Sequence, residues 1–186
     1  MTYRIAVLVG SLRQASWTRK VALAMQKLAP ASLAFEFVEF GDLPAYNQDI
    51  EESGTLPPEW VRFRDAVRDT HGVLFFTPEY NRGMPGFLKN AIDVGSRPYG
   101  KSVWSKKPGA VASVSPGLIG GMAANLSIRQ PMVFLDVPMM QQPEAYIGNV
   151  ATLFDDAGEL KSEDAKKFFT TFIHGYAAWV ERFQAK

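Results

Sequence analysis

Residues 7–18 read Val-Leu-Val-Gly-Ser-Leu-Arg-Gln-Ala-Ser-Trp-Thr and close an apolar run that begins at Tyr3. The run stops at Gly10, a polar loop follows, and a helix-periodic segment then opens at Trp17. An unbroken apolar run without alternation is expected of a parallel strand buried on both faces. A strand leading through hydroxyls into a helix N-terminus makes an anion site, because the first helical amides are unpaired and the helix dipole favours negative charge. Arg13 adds a planar fork that suits phosphate oxygens. The loop holds neither G-x-x-x-x-G-K-[ST] nor G-x-G-x-x-G, so neither an NTPase loop nor a dinucleotide turn is expected. Hydroxyls in place of glycines suit a terminal monophosphate, such as that of flavin mononucleotide. A helix simply capped by Ser16 accounts for the same residues and stays open at this point.

The alternation continues along the chain. Trp17, Val21, Ala24, Met25 and Leu28 recur at helical spacing, and Pro30 closes that segment. A half-buried strand is expected over Leu33–Phe40, followed by a long loop over Gly41–Thr55. Pro57 and Pro58 open a helix with Trp60, Phe63 and Val67 on one face. Further strands are expected at Gly72–Thr77, Gly109–Val114 and, short and last, Val137–Met140. Helices are expected at Pro85–Val94, Gly120–Phe134 and Lys161–Phe183. Five strands alternating with helices predict one α/β domain over residues 1–186, a doubly wound parallel sheet. Ligands of such sheets sit at the carboxyl ends of the strands. The informative loops are then Gly10–Thr18, Thr77–Gly86 and Ser113–Gly121.

In the second loop, Pro78 stiffens the turn, Gly83 and Gly86 permit positive φ or close approach, Tyr80 offers a face to a planar ring, and Asn81 can serve ring polar atoms. In the third, Ser115 and the amides near Gly120 can line the far side of the same space. Pro85 and Gly86 fit helix entry equally well, and the third loop also reads as a Gly-rich turn.

Composition narrows the classes. The net charge is +1 without a basic run, so nucleic acid and anionic membrane are not expected partners. The chain has no cysteine, which excludes disulfides, zinc-thiolate sites and a thiol nucleophile. Neither a leader nor a long apolar span is read, and a cytoplasmic protein is expected. His71 and His174 read as structural or surface groups, and Glu51-Glu52 and Asp155-Asp156 as solvated loop carboxylates. The aromatic content is high, with thirteen phenylalanines and four tryptophans to be divided between the core and a ligand or subunit surface.

Three motifs carry a resemblance. The G-S-L-R-x-x-S-x-T start, the P-E-Y-N-x-G-x-P-G-x-L-K-N-A-I-D block at Pro78–Asp93 and the S-x-S-x-G-x-x-G-G turn resemble the NADPH-dependent FMN reductase family, most nearly its bacterial quinone and chromate reductase branch. The resemblance spans about Ile5 to Gly148. It implies a flavodoxin-like five-stranded sheet of order 2-1-3-4-5 with helices on both faces. It implies bound FMN, NADPH or NADH as co-substrate, and a quinone-like acceptor reduced in a ping-pong cycle. Ser11, Arg13, Ser16, Trp17 and Thr18 would hold the FMN phosphate. Pro78, Glu79, Tyr80, Asn81 and Gly83 would line the ribityl chain and ring, with Ser115 nearby. Many relatives have Asn where this chain has Thr18, whose hydroxyl still donates. No side chain is assigned a catalytic role and no metal is expected. A homodimer or homotetramer is implied, with Met122–Phe134 and Gln141–Tyr146 as candidate contact segments and Arg129 with Glu144 as a charge pair across that contact, two residues that read equally as solvated surface. Arg82, Arg97 and Lys101 stand as candidate contacts for a 2′-phosphate. The competing class is a flavodoxin-type electron carrier, which the near-neutral charge disfavours.

Overall fold

A computed structural model describes residues 1–184. The strands are β1 (Tyr3–Val9), β2 (Leu33–Phe37), β3 (Gly72–Pro78), β4 (Gly109–Val114) and β5 (Ala145–Ile147). They form one sheet of order β2-β1-β3-β4-β5, parallel throughout. The helices are α1 (Trp17–Leu28), α2 (Gln48–Glu52), α3 (Pro58–Arg68), α4 (Gly86–Gly95), α5 (Met122–Phe134) and α6 (Glu163–Gln184).

Side-chain alternation on the central strands sorts the core into two layers. Ile5, Val7 and Val9, with Leu74 and Phe76, pack under α1 and α6 against Val21, Met25, Phe169, Phe172 and Ile173. Ala6, Leu8, Val73 and Phe75 pack the opposite face against Trp60 and Phe63 of α3, Leu88 and Ile92 of α4, and Ile128 and Met132 of α5. Most of the aromatic stripe of α6 is therefore core, with Tyr176 fully buried and its hydroxyl donating to the Val73 carbonyl at 3.0 Å.

Three expectations are corrected. The last strand is Ala145–Ile147, not Val137–Met140. The Met140 amide does donate to the Gly109 carbonyl, and the Gly109 amide to the Pro138 carbonyl, but this is an isolated bridge at the start of β4, and pairing resumes only at Ala145. The long loop after β2 contains α2, whose five residues are too few to show a periodicity; Asn47 caps it by accepting from the Asp49 amide. Glu51 is not solvated. It accepts from Arg64 Nη2 at 3.2 Å, Arg97 Nε at 2.9 Å and Tyr46 Oη at 3.3 Å. Burial pushes the Arg64 guanidinium below its usual value, and the Glu51 charge opposes that shift. This cluster fastens the loop after β2 to the far end of α4.

Candidate functional site

Loop 10–18 starts where β1 ends. The Gly10 amide donates to the Phe76 carbonyl at 2.7 Å, which pins the loop to β3. A Cβ at Gly10 would stand 2.9 Å from Leu88 Cδ2 and 3.3 Å from the Phe76 carbonyl oxygen, so glycine lets the loop lie this close to β3 and α4. Beyond Gly10 the pairing stops. From Ser11 to Thr18 no backbone amide donates to a protein acceptor among the described residues. Ser11 and Thr18 are buried as residues, but their hydroxyl oxygens remain accessible, and among the described residues neither has a protein partner. Ser16 caps α1, its Oγ accepting from the Arg19 amide at 3.1 Å. The hydroxyl hydrogen of Ser16 remains to donate, so the cap and an anion contact are compatible. Arg13 is exposed and has no ion-pair partner among the described residues. Unpaired amides, two unpartnered hydroxyls and one cation around a helix N-terminus can hold a phosphate dianion.

Loop 77–86 is organised differently. Tyr80 and Gly83 exchange both backbone hydrogen bonds at 3.0 Å, and Asn81 and Arg82 take left-handed φ of 50° and 65°. This is a two-residue hairpin turn of the type that demands positive φ at both central positions. The left-handed residues are thus Asn81 and Arg82, not Gly83 as the sequence suggested. Glu79 faces inward: its Oε2 accepts from the amides of Ala123 at 3.0 Å and Ala124 at 3.2 Å. The carboxylate supplies the cap that α5 lacks at Gly121 and meets the positive end of that helix. Ser127 Oγ accepts from the Met84 amide at 2.9 Å and ties down the other end of the loop.

The third loop rests on β5. Ser115 donates its amide to the Ile147 carbonyl at 2.9 Å, and its Oγ accepts from Gly117 at 3.0 Å. Gly120 and Gly121 both have positive φ, and a Cβ at Gly120 would collide with the backbone of Tyr146.

The three loops meet in a cleft of about 250 Å³. Its walls include Ser11, Arg13, Ser16, Trp17, Thr18, Pro78, Glu79, Tyr80 and Ser115. Asn81 and Gly83 lie outside it, at the tip of the hairpin turn. Val114 and Pro116 complete the wall; they flank Ser115, and extending the third loop's inventory by one residue on each side would have found them. Within the chain, Arg129 is held by its own neighbours. Its Nε donates to Asn125 Oδ1 and its Nη1 to the Met140 carbonyl, both at 3.0 Å. Burial, first, and then the neighbouring Glu144 raise the Tyr146 hydroxyl above its ordinary value. Among the described residues, no cluster of metal-ligating side chains is present and no helix is long and apolar enough to cross a membrane.

Comparisons with known proteins bear on this cleft. The sequence model of the family described as NADPH-dependent FMN reductase matches residues 3–152, which contain all three loops. The chain is 59% identical over 180 residues to a quinone reductase of Pseudomonas putida, covering 96% of this chain and 95% of that one. It is 46% identical over 181 residues to a 2-hydroxy-1,4-benzoquinone reductase of a Burkholderia species, covering 97% of each. Among solved structures, a flavoenzyme NAD(P)H:(acceptor) oxidoreductase from Paracoccus denitrificans superposes with a TM-score of 0.91 at 38% identity, covering 98% of this chain and 99% of that one. The chain belongs to the NADPH-dependent FMN reductase family. It is an oxidoreductase of flavodoxin-like fold that works with FMN and a nicotinamide co-substrate.

Proposed function

We propose that this member of the NADPH-dependent FMN reductase family passes electrons from NAD(P)H to a quinone-like acceptor through FMN held in the cleft between the three loops. The observation that carries the proposal is the row of unpaired amides from Ser11 to Thr18, with the unpartnered hydroxyls of Ser11 and Thr18 beside them. The similar proteins named for quinone substrates support the acceptor class.

FMN supplies the two-electron redox chemistry when bound. The protein binds and orients. Ser11, Ser16 and Thr18 donate hydroxyls to the phosphate, Trp17 contributes its backbone amide, and Arg13 supplies the compensating charge. Pro78 and Tyr80 form one wall for the ribityl chain and ring, and Ser115 the other. Glu79 acts through α5 and keeps the second and third loops at a fixed separation. Asn81 and Gly83 serve by forming the turn that presents Tyr80. Donor and acceptor use one cleft in succession, which makes the kinetics ping-pong. The working unit is a homodimer or homotetramer. The exposed Met122, Leu126 and Val133, at helical spacing on α5, and Phe134 beside them support a subunit contact there.

An absorbance spectrum of the purified protein tests the function. Flavin bands that bleach on anaerobic addition of NADPH or NADH are expected. Flavin bands that neither nicotinamide bleaches would instead indicate a carrier reduced by another protein.

A further inference from the structure

A second cleft, of about 360 Å³, lies on the other side of loop 10–18, between that loop and the end of β2. The two clefts share Ser11 and Arg13 and so lie back to back across that loop. Leu12 and Phe37 give this mainly polar cleft an apolar patch against which a planar base can lie, and Arg19 and Glu39 also line it. Arg19 Nη2 lies 3.6 Å from Glu39 Oε1, and its guanidinium carbon 5.5 Å from the centre of the Phe37 ring. Both charged side chains are exposed, and an exposed ion pair of this length holds its partners weakly. A phosphate dianion can therefore take Arg19 from Glu39 with shorter, charge-assisted hydrogen bonds.

The other cations suggested by the sequence are otherwise placed. Arg97 is bound to Glu51. Lys101 follows α4, at the edge where the strands begin. Arg82 faces Glu79 at 3.4 Å from the hairpin turn. Arg13 serves the first cleft. Arg19 is the cation that lines the second cleft and not the first.

We propose that the cleft between loop 10–18 and the end of β2 receives the adenosine end of the nicotinamide donor, and that Arg19 binds the 2′-phosphate that distinguishes NADPH from NADH. The proposal rests on the NAD(P)H-dependent function stated above. Glu39 lines the same cleft, where its carboxylate can accept a ribose 2′-hydroxyl and repels a 2′-phosphate. The pair then sets the preference between the two nicotinamides, Arg19 toward NADPH and Glu39 toward NADH.

The test titrates adenosine 2′,5′-bisphosphate and adenosine 5′-monophosphate into the FMN-loaded protein by calorimetry. The bisphosphate is expected to bind about tenfold more tightly, and Arg19→Ala to abolish that margin, the loss of one charge-assisted contact. In steady-state kinetics, Arg19→Ala raises the ratio of KM for NADPH to KM for NADH about tenfold, whereas Glu39→Gln lowers it. Equal binding of the two adenosine phosphates to the wild-type protein, or a KM ratio that neither substitution moves, overturns the proposal. Flavin absorbance of the same samples reports separately on the proposed function, so the two ideas fail by different signals.

Discussion

Loops 10–18 and 77–86 border the same cleft, but they use their polar groups in opposite ways. The first leaves its amides from Ser11 to Thr18 without protein acceptors. The second consumes nearly everything it has: Tyr80 pairs with Gly83, Met84 with Ser127, and Glu79 with two amides of α5. Leu12 to Ala15 are exposed, so water satisfies their amides until an anion displaces it. The first loop thus keeps its donors available to an anion, whereas the second has engaged most of its own within the protein. Affinity for the phosphate should reside in the first loop, and the shape of the cleft in the second.

Arg13→Ala is expected to give the largest effect on binding. Removing one charge-assisted contact of about 1.5–3 kcal/mol weakens FMN roughly ten- to hundredfold in a fluorescence titration. Because Arg13 is exposed and unpaired, the melting temperature of the FMN-free protein should stay nearly constant. A collapse of stability with intact affinity would reverse the roles given to the two loops.

Glu79→Gln should show the converse. It removes the charge at the N-terminus of α5 and weakens both amide contacts, costing about 1–2 kcal/mol in denaturant unfolding. FMN affinity should fall less than in Arg13→Ala. The smallest effect is expected at the turn. Arg82→Gly relieves a left-handed non-glycine residue at φ 65° and loses only an exposed ion pair. A net gain of about 0.5–1 kcal/mol is expected from the same unfolding curves.

The same contrast governs what the sequence discloses. β1, β3 and β4 are legible because parallel strands covered on both faces must be apolar throughout. β5 is not: three residues carry little pattern, and the nearby run Val137–Met140 is just as apolar and lies beside the start of β4. The burial of Glu51 leaves no local trace, because its partners Arg64 and Arg97 are 13 and 46 residues away. At the site, the hydroxyls of loop 10–18 announce themselves because a loop that binds with its own consecutive groups writes its function in one short stretch. The second loop is harder to read. Glu79 reads equally as a ligand contact or as a clamp on backbone amides, and only the position of α5 shows that its carboxylate is already used. Likewise the sequence of Asn81 and Gly83 does not disclose that they belong to a hairpin turn, which the pairing of Tyr80 with Gly83 makes.

The most direct measurement compares FMN with riboflavin, which lacks the phosphate, in binding to the flavin-free protein. If loop 10–18 is a phosphate cradle, FMN binds at least about a hundredfold more tightly, two or more charge-assisted hydrogen bonds being at stake. The gap then narrows sharply in Arg13→Ala. Equal affinity for the two flavins would contradict the phosphate assignment and leave the unpaired amides of Ser11 to Thr18 without the ligand given to them here.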